Sequence, residues 1–311
     1  MRRFLLLGLG VVAAVSVYLA LGLPSRGAVR ALAETRPGKT SVMRQREREA
    51  ERAGRRPRTQ QTWVPLSRIS RHLVHAVLAS EDQKFFGHEG VDWEAIQESL
   101  EEDRRRWRFA RGGSTITQQL AKNLFFTTHK SLARKVRELV AARWLEADLG
   151  KARILELYLN VIEWGDGIYG AEVAARRYFG KSAAGLSADE AAGLAGMIPN
   201  PRRRHPKRNP ASFARAQKRV LWLMASAGYL ERSGLGATPP PPEPVEEDDV
   251  AEPEPAEDAA APSEPPVEAP PEWRESPSPE PSVPSPEPSP AELETPSPEP
   301  YEPSPQPSPS V

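Results

Sequence analysis

The sequence predicts a mainly α-helical body set between a transmembrane helix at its N-terminus and a disordered Pro/Glu-rich tail at its C-terminus. Three observations carry this reading. Phe4 to Leu23 is a twenty-residue run without a charge, close to the length that crosses a hydrocarbon core. Between Trp63 and Leu230 apolar residues recur at helical spacing and strand-like alternation is scarce. From Ala237 onward lie 26 of the chain's 34 prolines, packed among Glu, Ser and Ala. Such a segment buries too little apolar surface to offset its ordering entropy.

Arg2 and Arg3 sit immediately before the apolar run, and the positive-inside rule places that end in the cytoplasm. A cleaved signal peptide is the alternative, with Ala20-Leu21-Gly22 a passable cleavage site, but its apolar stretch is usually shorter. An uncleaved anchor over 1–23 is therefore expected, with everything after Pro24 outside the cytoplasmic membrane. Residues 24–62 are polar and rich in Arg and Glu, and read as a juxtamembrane connector, partly helical around Val42 to Ala53.

The folded domain is expected over 63–236. Pro65-Leu66-Ser67 looks like a helix entry, followed by Ile69, Leu73, Val74, Val77 and Leu78 at helical spacing. Glu81 falls at the end of that helix, at the mouth of whatever pocket follows. Ser131 to Leu149 and Lys151 to Val161 read as two further helices. Ser187-Ala188-Asp189-Glu190 is a capping box, opening an Ala-rich helix that Pro199 stops. Pro210 to Leu230 is a last amphipathic helix, and 237–311 is an extended, polyproline-like tail.

The net charge of zero conceals a strong asymmetry. The tail from Ala237 holds 19 acidic residues and one basic residue, Arg274, a net of −18 that leaves +18 on the remainder. A basic body suggests an anionic partner: nucleic acid, an anionic membrane surface or a pyrophosphate. A location outside the cytoplasm argues against nucleic acid. The same reasoning applies to Trp93 to Phe109, where Arg104-Arg105-Arg106-Trp107-Arg108-Phe109 interleaves basic and aromatic residues. An interfacial membrane segment suits that mix; a merely exposed charged loop is the alternative. Cysteine is absent, which removes disulfides and thiolate metal sites and decides nothing about compartment.

The chemistry concentrates in three segments. Ser114-Thr115-Ile116-Thr117-Gln118-Gln119, opened by Gly112-Gly113 and followed by Lys122-Asn123, is polar at five of six consecutive positions. It makes a poor surface for burial and a good cradle for a polyhydroxylated, phosphorylated ligand. Upstream lies Glu81-Asp82-Gln83-Lys84-Phe85-Phe86-Gly87-His88-Glu89-Gly90-Val91-Asp92, and downstream Arg134-Lys135-Val136-Arg137-Glu138. Two further blocks are Lys-x-x-Ile-Leu-Glu-x-Tyr-Leu-Asn at Lys151 to Asn160, and Gly170 through Tyr178-Phe179-Gly180-Lys181 to Ala195-Gly196-Met197-Ile198-Pro199-Asn200-Pro201.

This ordered set resembles the peptidoglycan glycosyltransferases, which polymerise lipid II into the glycan strands of the bacterial wall. The resemblance implies a lysozyme-like fold, with a larger helical lobe and a smaller mobile lobe flanking a cleft. It implies that Glu81 is the base that deprotonates the acceptor hydroxyl, and that Glu138, the second carboxylate, organises the donor side. It implies a substrate grip by Ser114, Thr115, Gln118, Gln119, Lys122, Asn123, Lys130, Arg134 and Lys135. The cations among these meet the pyrophosphate; at Lys130 many family members carry Arg, whose bidentate hold is lost here. Asp82, His88, Asp92, Tyr158 and Asn160 are then supports of the cleft. No second histidine lies at metal-ligand spacing from His88, which argues against zinc; a divalent cation, Mg or Mn, at the pyrophosphate is the cofactor the resemblance allows.

The expected partners are lipid II, the growing glycan strand and the inner membrane, with a single span and the catalytic domain on the periplasmic side. The tail is the segment through which cell-wall synthesis or division proteins would be met. A glycan hydrolase on a similar scaffold is the first rival, but it needs no array of cations. An inactive tethered scaffold is the second, and the intact catalytic positions count against it. Ser-x-x-Lys and Lys-Thr-Gly motifs of a transpeptidase are absent, so a monofunctional enzyme is expected.

Overall fold

The structure, a computed structural model, describes residues 2–94, 97, 114–232, 235, 236 and 238. The described residues are mainly helical. In chain order the helices are α1 (Arg2–Leu21), α2 (Arg26–Ala31), α3 (Ser41–Arg52), α4 (Arg71–Glu81), α5 (Ile116–Phe125) and α6 (Leu132–Asp148). They continue with α7 (Lys151–Val161), α8 (Ala171–Phe179), α9 (Ala188–Met197) and α10 (Pro210–Ser226). Three short strands, β1 (Gln60–Gln61), β2 (Glu163–Gly165) and β3 (Ile168–Tyr169), form a sheet in the order β1-β3-β2. β1 runs parallel to β3, with Gln60 opposite Ile168, and β2 runs antiparallel to it.

α1 is long and apolar enough to cross a membrane, and its described side chains are exposed apart from the half-buried Leu19. Most of the helices after it start where side-chain oxygens replace missing backbone acceptors; α7 and α8, which follow Gly150 and Gly170, do not. Ser70, Thr115 and Ser131 cap α4, α5 and α6. Ser187 and Glu190 close the expected capping box on α9. α10 ends at Ser226, four residues short of the expected Leu230. The cause is Gly228, which takes φ +79° and lets the Tyr229 N–H return to the Met224 carbonyl at 2.9 Å.

α4 packs against α9 and α10, and α5 packs against α6 and α7. Trp164, Tyr158, Tyr169 and Phe85 are the largest side chains fully inside. The stretch expected as a connector differs from that expectation: much of 24–62 is packed onto the body. Val29, Leu32, Val42 and Met43 are buried, α3 lies against α5, and β1 completes the sheet. Few apolar residues do this because ion pairs to distant residues share the work, such as Arg26 to Asp148 and Arg46 to Glu163. Those partners are more than a hundred residues away, so the stretch reads as solvated when taken alone. The Trp93–Phe109 segment beyond Glu94, apart from Gln97, lies outside the described residues. So do Gly112, Gly113 and the tail from Ala237, apart from Thr238.

Asn160 joins this early segment to α7. Its Nδ2 donates to the Val64 carbonyl at 2.9 Å and the Glu156 carbonyl at 2.8 Å, and its Oδ1 accepts the Val64 N–H at 2.9 Å. Substituting Asn160→Ala leaves part-buried backbone groups of Val64 without these partners. The expected loss is about 2–4 kcal/mol of stability, read as a drop in the midpoint of denaturant unfolding. A loss below about 1 kcal/mol would show that water or a shifted side chain replaces the amide without difficulty.

Candidate active site

Glu81 is the last residue of α4, and Asp82 ends the helix by turning to φ −166°. The buried ring of Phe85 holds the chain that follows. The Asp82 carboxylate, itself buried, accepts the Ile116 N–H at 3.0 Å in the first turn of α5, where the helix dipole favours negative charge. It also lies 3.0 Å from His88 Nε2. The Gly90 N–H donates to His88 Nδ1 at 3.1 Å. Nδ1 is therefore the acceptor nitrogen, and Nε2 carries the proton given to Asp82. His88 acts on Asp82, one residue from Glu81, rather than on Glu81 itself.

Thr115 fastens the two segments a second time. Its Oγ1 caps α5 by accepting the Gln118 N–H and donates to the Gly90 carbonyl at 2.7 Å. Gln118 Nε2 reaches the same carbonyl at 3.3 Å. Gly90 sits at φ +84°, where a Cβ would meet Glu146 Cγ at 2.9 Å and the Ala142 carbonyl at 3.2 Å, so only glycine fits the junction.

Glu81 is oriented from α5. Tyr158 donates to Gln119 Oε1 at 2.9 Å, which turns the Gln119 Nε2 to donate to Glu81 Oε2 at 2.8 Å. Burial pushes the Tyr158 hydroxyl well above its usual range, reinforced by Glu81 and Asp82, so it remains a neutral donor. Burial also pushes the Glu81 carboxyl above the usual carboxylate range. The Gln119 hydrogen bond and the charges of Lys122 and Arg204 oppose that shift only in part. Glu81 Oε1 has no hydrogen-bond donor among the described residues, which leaves it open to accept a proton.

The cations gather beside it on α5 and α6. Lys135 Nζ donates to Ser114 Oγ at 2.7 Å and Gln118 Oε1 at 2.9 Å, and lies 3.9 Å from Glu138 Oε2. Arg134 pairs with Glu138 Oε1 one helical turn on, and its Nε is buried without a partner among the described residues. Lys122 is influenced by both carboxylates, Glu138 more strongly than Glu81. Burial lowers the ammonium groups of Lys122 and Lys135 from their usual range, and burial raises the Glu138 carboxyl despite its three cationic neighbours. Three cations surround one carboxylate, so the pocket carries excess positive charge that a polyanion can neutralise.

The remaining expected residues fall into two groups. Asn123 bonds the Gln119 carbonyl at 2.8 Å and steadies α5, while Asn160 supports the fold as described above. Asp92 is half-buried at the end of the first loop. Lys130 is different: it is exposed, lies just before the cap of α6 and makes no ion pair within the cluster.

Sequence reasoning missed several contributors. Arg204, which donates to the Gly196 carbonyl at 2.7 Å, supplies a charge felt by Glu81. Glu146 accepts Thr117 Oγ1 at 2.6 Å and Lys151 Nζ at 2.9 Å, while Lys151 also reaches the His88 carbonyl at 2.5 Å. Thr117 and Lys151 belong to recognisable motifs; Glu146 carries no local signal.

A protein-held divalent cation does not fit this donor set. Glu138 is already compensated by Arg134, Lys135 and Lys122, and no group of three metal-ligating side chains occurs among the described residues.

A family model described as Transglycosylase matches residues 47–225. The chain is 45% identical over 225 residues to a biosynthetic peptidoglycan transglycosylase of Dechloromonas aromatica, covering 72% of this chain and 95% of that protein. It is 47% identical over 191 residues to the protein of the same description from Herminiimonas arsenicoxydans, covering 61% and 83%. With the one from Aromatoleum aromaticum it shares 52% identity over 156 residues, covering 50% and 68%.

The raised carboxyl of Glu81 has a consequence for stability. The folded chain binds this proton more tightly than the unfolded chain, so the contribution is full below the unfolded value of 4.5 and is lost as pH rises through the folded one. Glu81→Gln, neutral at every pH, escapes that loss. Its Tm should exceed that of the parent at pH 8, by about 2–4 °C for each kcal/mol recovered, with the gap closing towards pH 4. A Tm that falls further below the parent's at pH 8 than at pH 4 would mean that the carboxylate is stabilised by its surroundings.

Proposed function

This chain belongs to the transglycosylase family and is a peptidoglycan glycosyltransferase of cell-wall biosynthesis, and we propose that it polymerises lipid II into β-1,4-linked glycan with inversion and release of undecaprenyl pyrophosphate. The observation that carries this reading is one open, proton-attracting carboxylate, Glu81, beside an undercompensated cluster of Lys122, Arg134 and Lys135.

Glu81 takes the proton from the 4-hydroxyl of the acceptor GlcNAc as that oxygen bonds to the anomeric carbon of the donor MurNAc. The bond from that carbon to the pyrophosphate oxygen breaks with its electron pair on the leaving group. Attack opposite the departing group turns the α-linkage into β. The buried elevation of Glu81 suits it to accept a proton near neutral pH. Lys122, Arg134 and Lys135 meet the charge that grows on the pyrophosphate, and Arg134 Nε is a spare buried donor for it. Glu138 holds these cations in place through its contacts with Arg134 and Lys135. Ser114 and Gln118 hold Lys135 from the other side.

The finer architecture belongs to the same reading: a lysozyme-like, two-lobed domain on the periplasmic side of the inner membrane, anchored by α1. The lipid-borne substrate then reaches the cleft from the bilayer.

Two measurements with purified protein and labelled lipid II test this. Glu81→Gln should lower polymerisation at least about a hundredfold while substrate binding persists; near-normal turnover would remove Glu81 from the role of base. Lys122→Ala should cost at least about tenfold in kcat/KM, and Lys130→Ala, on an exposed residue outside the cluster, should cost less than about threefold. The reverse order would relocate the pyrophosphate towards the start of α6.

A further inference from the structure

The last turn of α1 carries no basic residue, yet its final carbonyls meet a guanidinium. Arg137 of α6 donates from Nε to the Leu19 carbonyl at 3.1 Å and from Nη2 to the Tyr18 carbonyl at 2.5 Å. Its Cζ lies 4.7 Å from the centre of the Tyr18 ring. Gly22 makes room for this: a Cβ there would lie 2.1 Å from Arg137 Cζ. A helix end leaves carbonyls unsatisfied and carries partial negative charge. Near lipid an unpaired carbonyl is costly. A cation supplied from another helix therefore binds the end of α1 strongly.

The contact continues along one stripe of α6, since Arg137, Trp144 and Asp148 recur at near-helical repeats. Arg26, at the start of α2, pairs with Asp148 at 3.0 Å and lies over the Trp144 ring at 5.3 Å. Beyond it Val29 is fully buried, and Arg153 donates to the Leu32 carbonyl at 2.8 Å. From Tyr18 to Leu32 the chain that leaves the apolar helix is attached to the body rather than hanging from it. Glu138, one residue after Arg137 and about 100° round the helix, belongs to the cation cluster. One rigid helix thus carries the anchor on one face and the candidate pyrophosphate cations on the next.

We propose that Arg137 is a positioning residue that locks α1 to α6 and thereby holds the cation cluster at a set height and angle over the bilayer. Its kinetic consequence rests on the reading of lipid II as a bilayer-borne substrate. With a fixed mount, the pyrophosphate of such a substrate meets the cluster without a search over orientations of the domain. With a loose mount, that search is added to each encounter.

The absence of cysteine permits a direct test in the full chain. Spin labels at Val12→Cys in α1 and at the exposed position Arg177→Cys in α8 report the anchor-to-body distance in nanodiscs. The parent should give a narrow distribution, and Arg137→Ala should broaden it at least about twofold. Gly22→Val should do the same, because it displaces the guanidinium without altering α6. Arg137→Lys, which keeps the charge and loses the fork, should fall between. In liposomes Arg137→Ala and Gly22→Val should lower kcat/KM for lipid II about tenfold, the scale of a modest misplacement. In detergent micelles, where no bilayer plane exists, both should stay within about twofold of the parent. An unchanged narrow distribution in both variants would overturn the lock. Broadened distances with unchanged liposome rates would overturn the positioning role. If even the parent fails to polymerise lipid II, the functional reading falls, while the distance measurement still decides the lock.

Discussion

The carboxylate of Asp82 is the joint on which the site depends. It belongs to the loop after α4, yet its partners are the first turn of α5, through the Ile116 N–H, and His88 on its own loop. A single buried anion thus ties two segments more than thirty residues apart. The arrangement works because the start of a helix presents free N–H groups and positive potential, so the charge has a ready counterpart. Thr115 and Gln118 repeat the fastening at Gly90 with neutral groups. Once these bonds are made, Glu81 has little freedom left, and Gln119 with Tyr158 behind it sets the remaining orientation.

The same compactness sets the chemistry. Removing a carboxylate from water raises its proton affinity, and removing an ammonium lowers its own. Glu81 and Lys122 are shifted in these opposite senses within one pocket. Neither is neutralised by a single close partner, and both remain responsive to a charged ligand. Arg134 and Glu138 form the closer pair and steady the cluster. The folded chain thus keeps groups in surroundings that cost stability, as expected where chemistry needs reactive rather than satisfied side chains.

α6 connects these features to α1. Its successive faces carry the cations, the partly buried contacts to α1 and α2, and the aliphatic Leu132 and Val136, which stay exposed. A helix is stiff over this length, so what holds one face also constrains the others. Behind the site, Glu146 and Lys151 join α6, α7 and the His88 loop through part-buried polar contacts. Lys151 also lies 4.5 Å from the centre of the Phe85 ring, so its stem packs while its charge is paired.

The sequence by itself determined the helical class, the apolar N-terminal helix and the positions of most helices, because periodicity and capping residues are local. The capping box at Ser187 and the helix from Lys151 to Val161 were legible to the residue. Glu81, Gln119, Lys122, Arg134, Lys135 and Glu138 were nameable because they lie in recognisable motifs. Tertiary structure alone decided that His88 serves Asp82, that Lys130 stands outside the cluster, that the charge of Arg204 is felt by Glu81, and that much of 24–62 belongs to the body. It also decided that Arg137 grips the end of α1. Each of these depends on which charged or hydrogen-bonding groups meet across long stretches of chain. Side-chain pattern records the face a residue occupies on its own helix; the partner it meets there depends on how the helices pack.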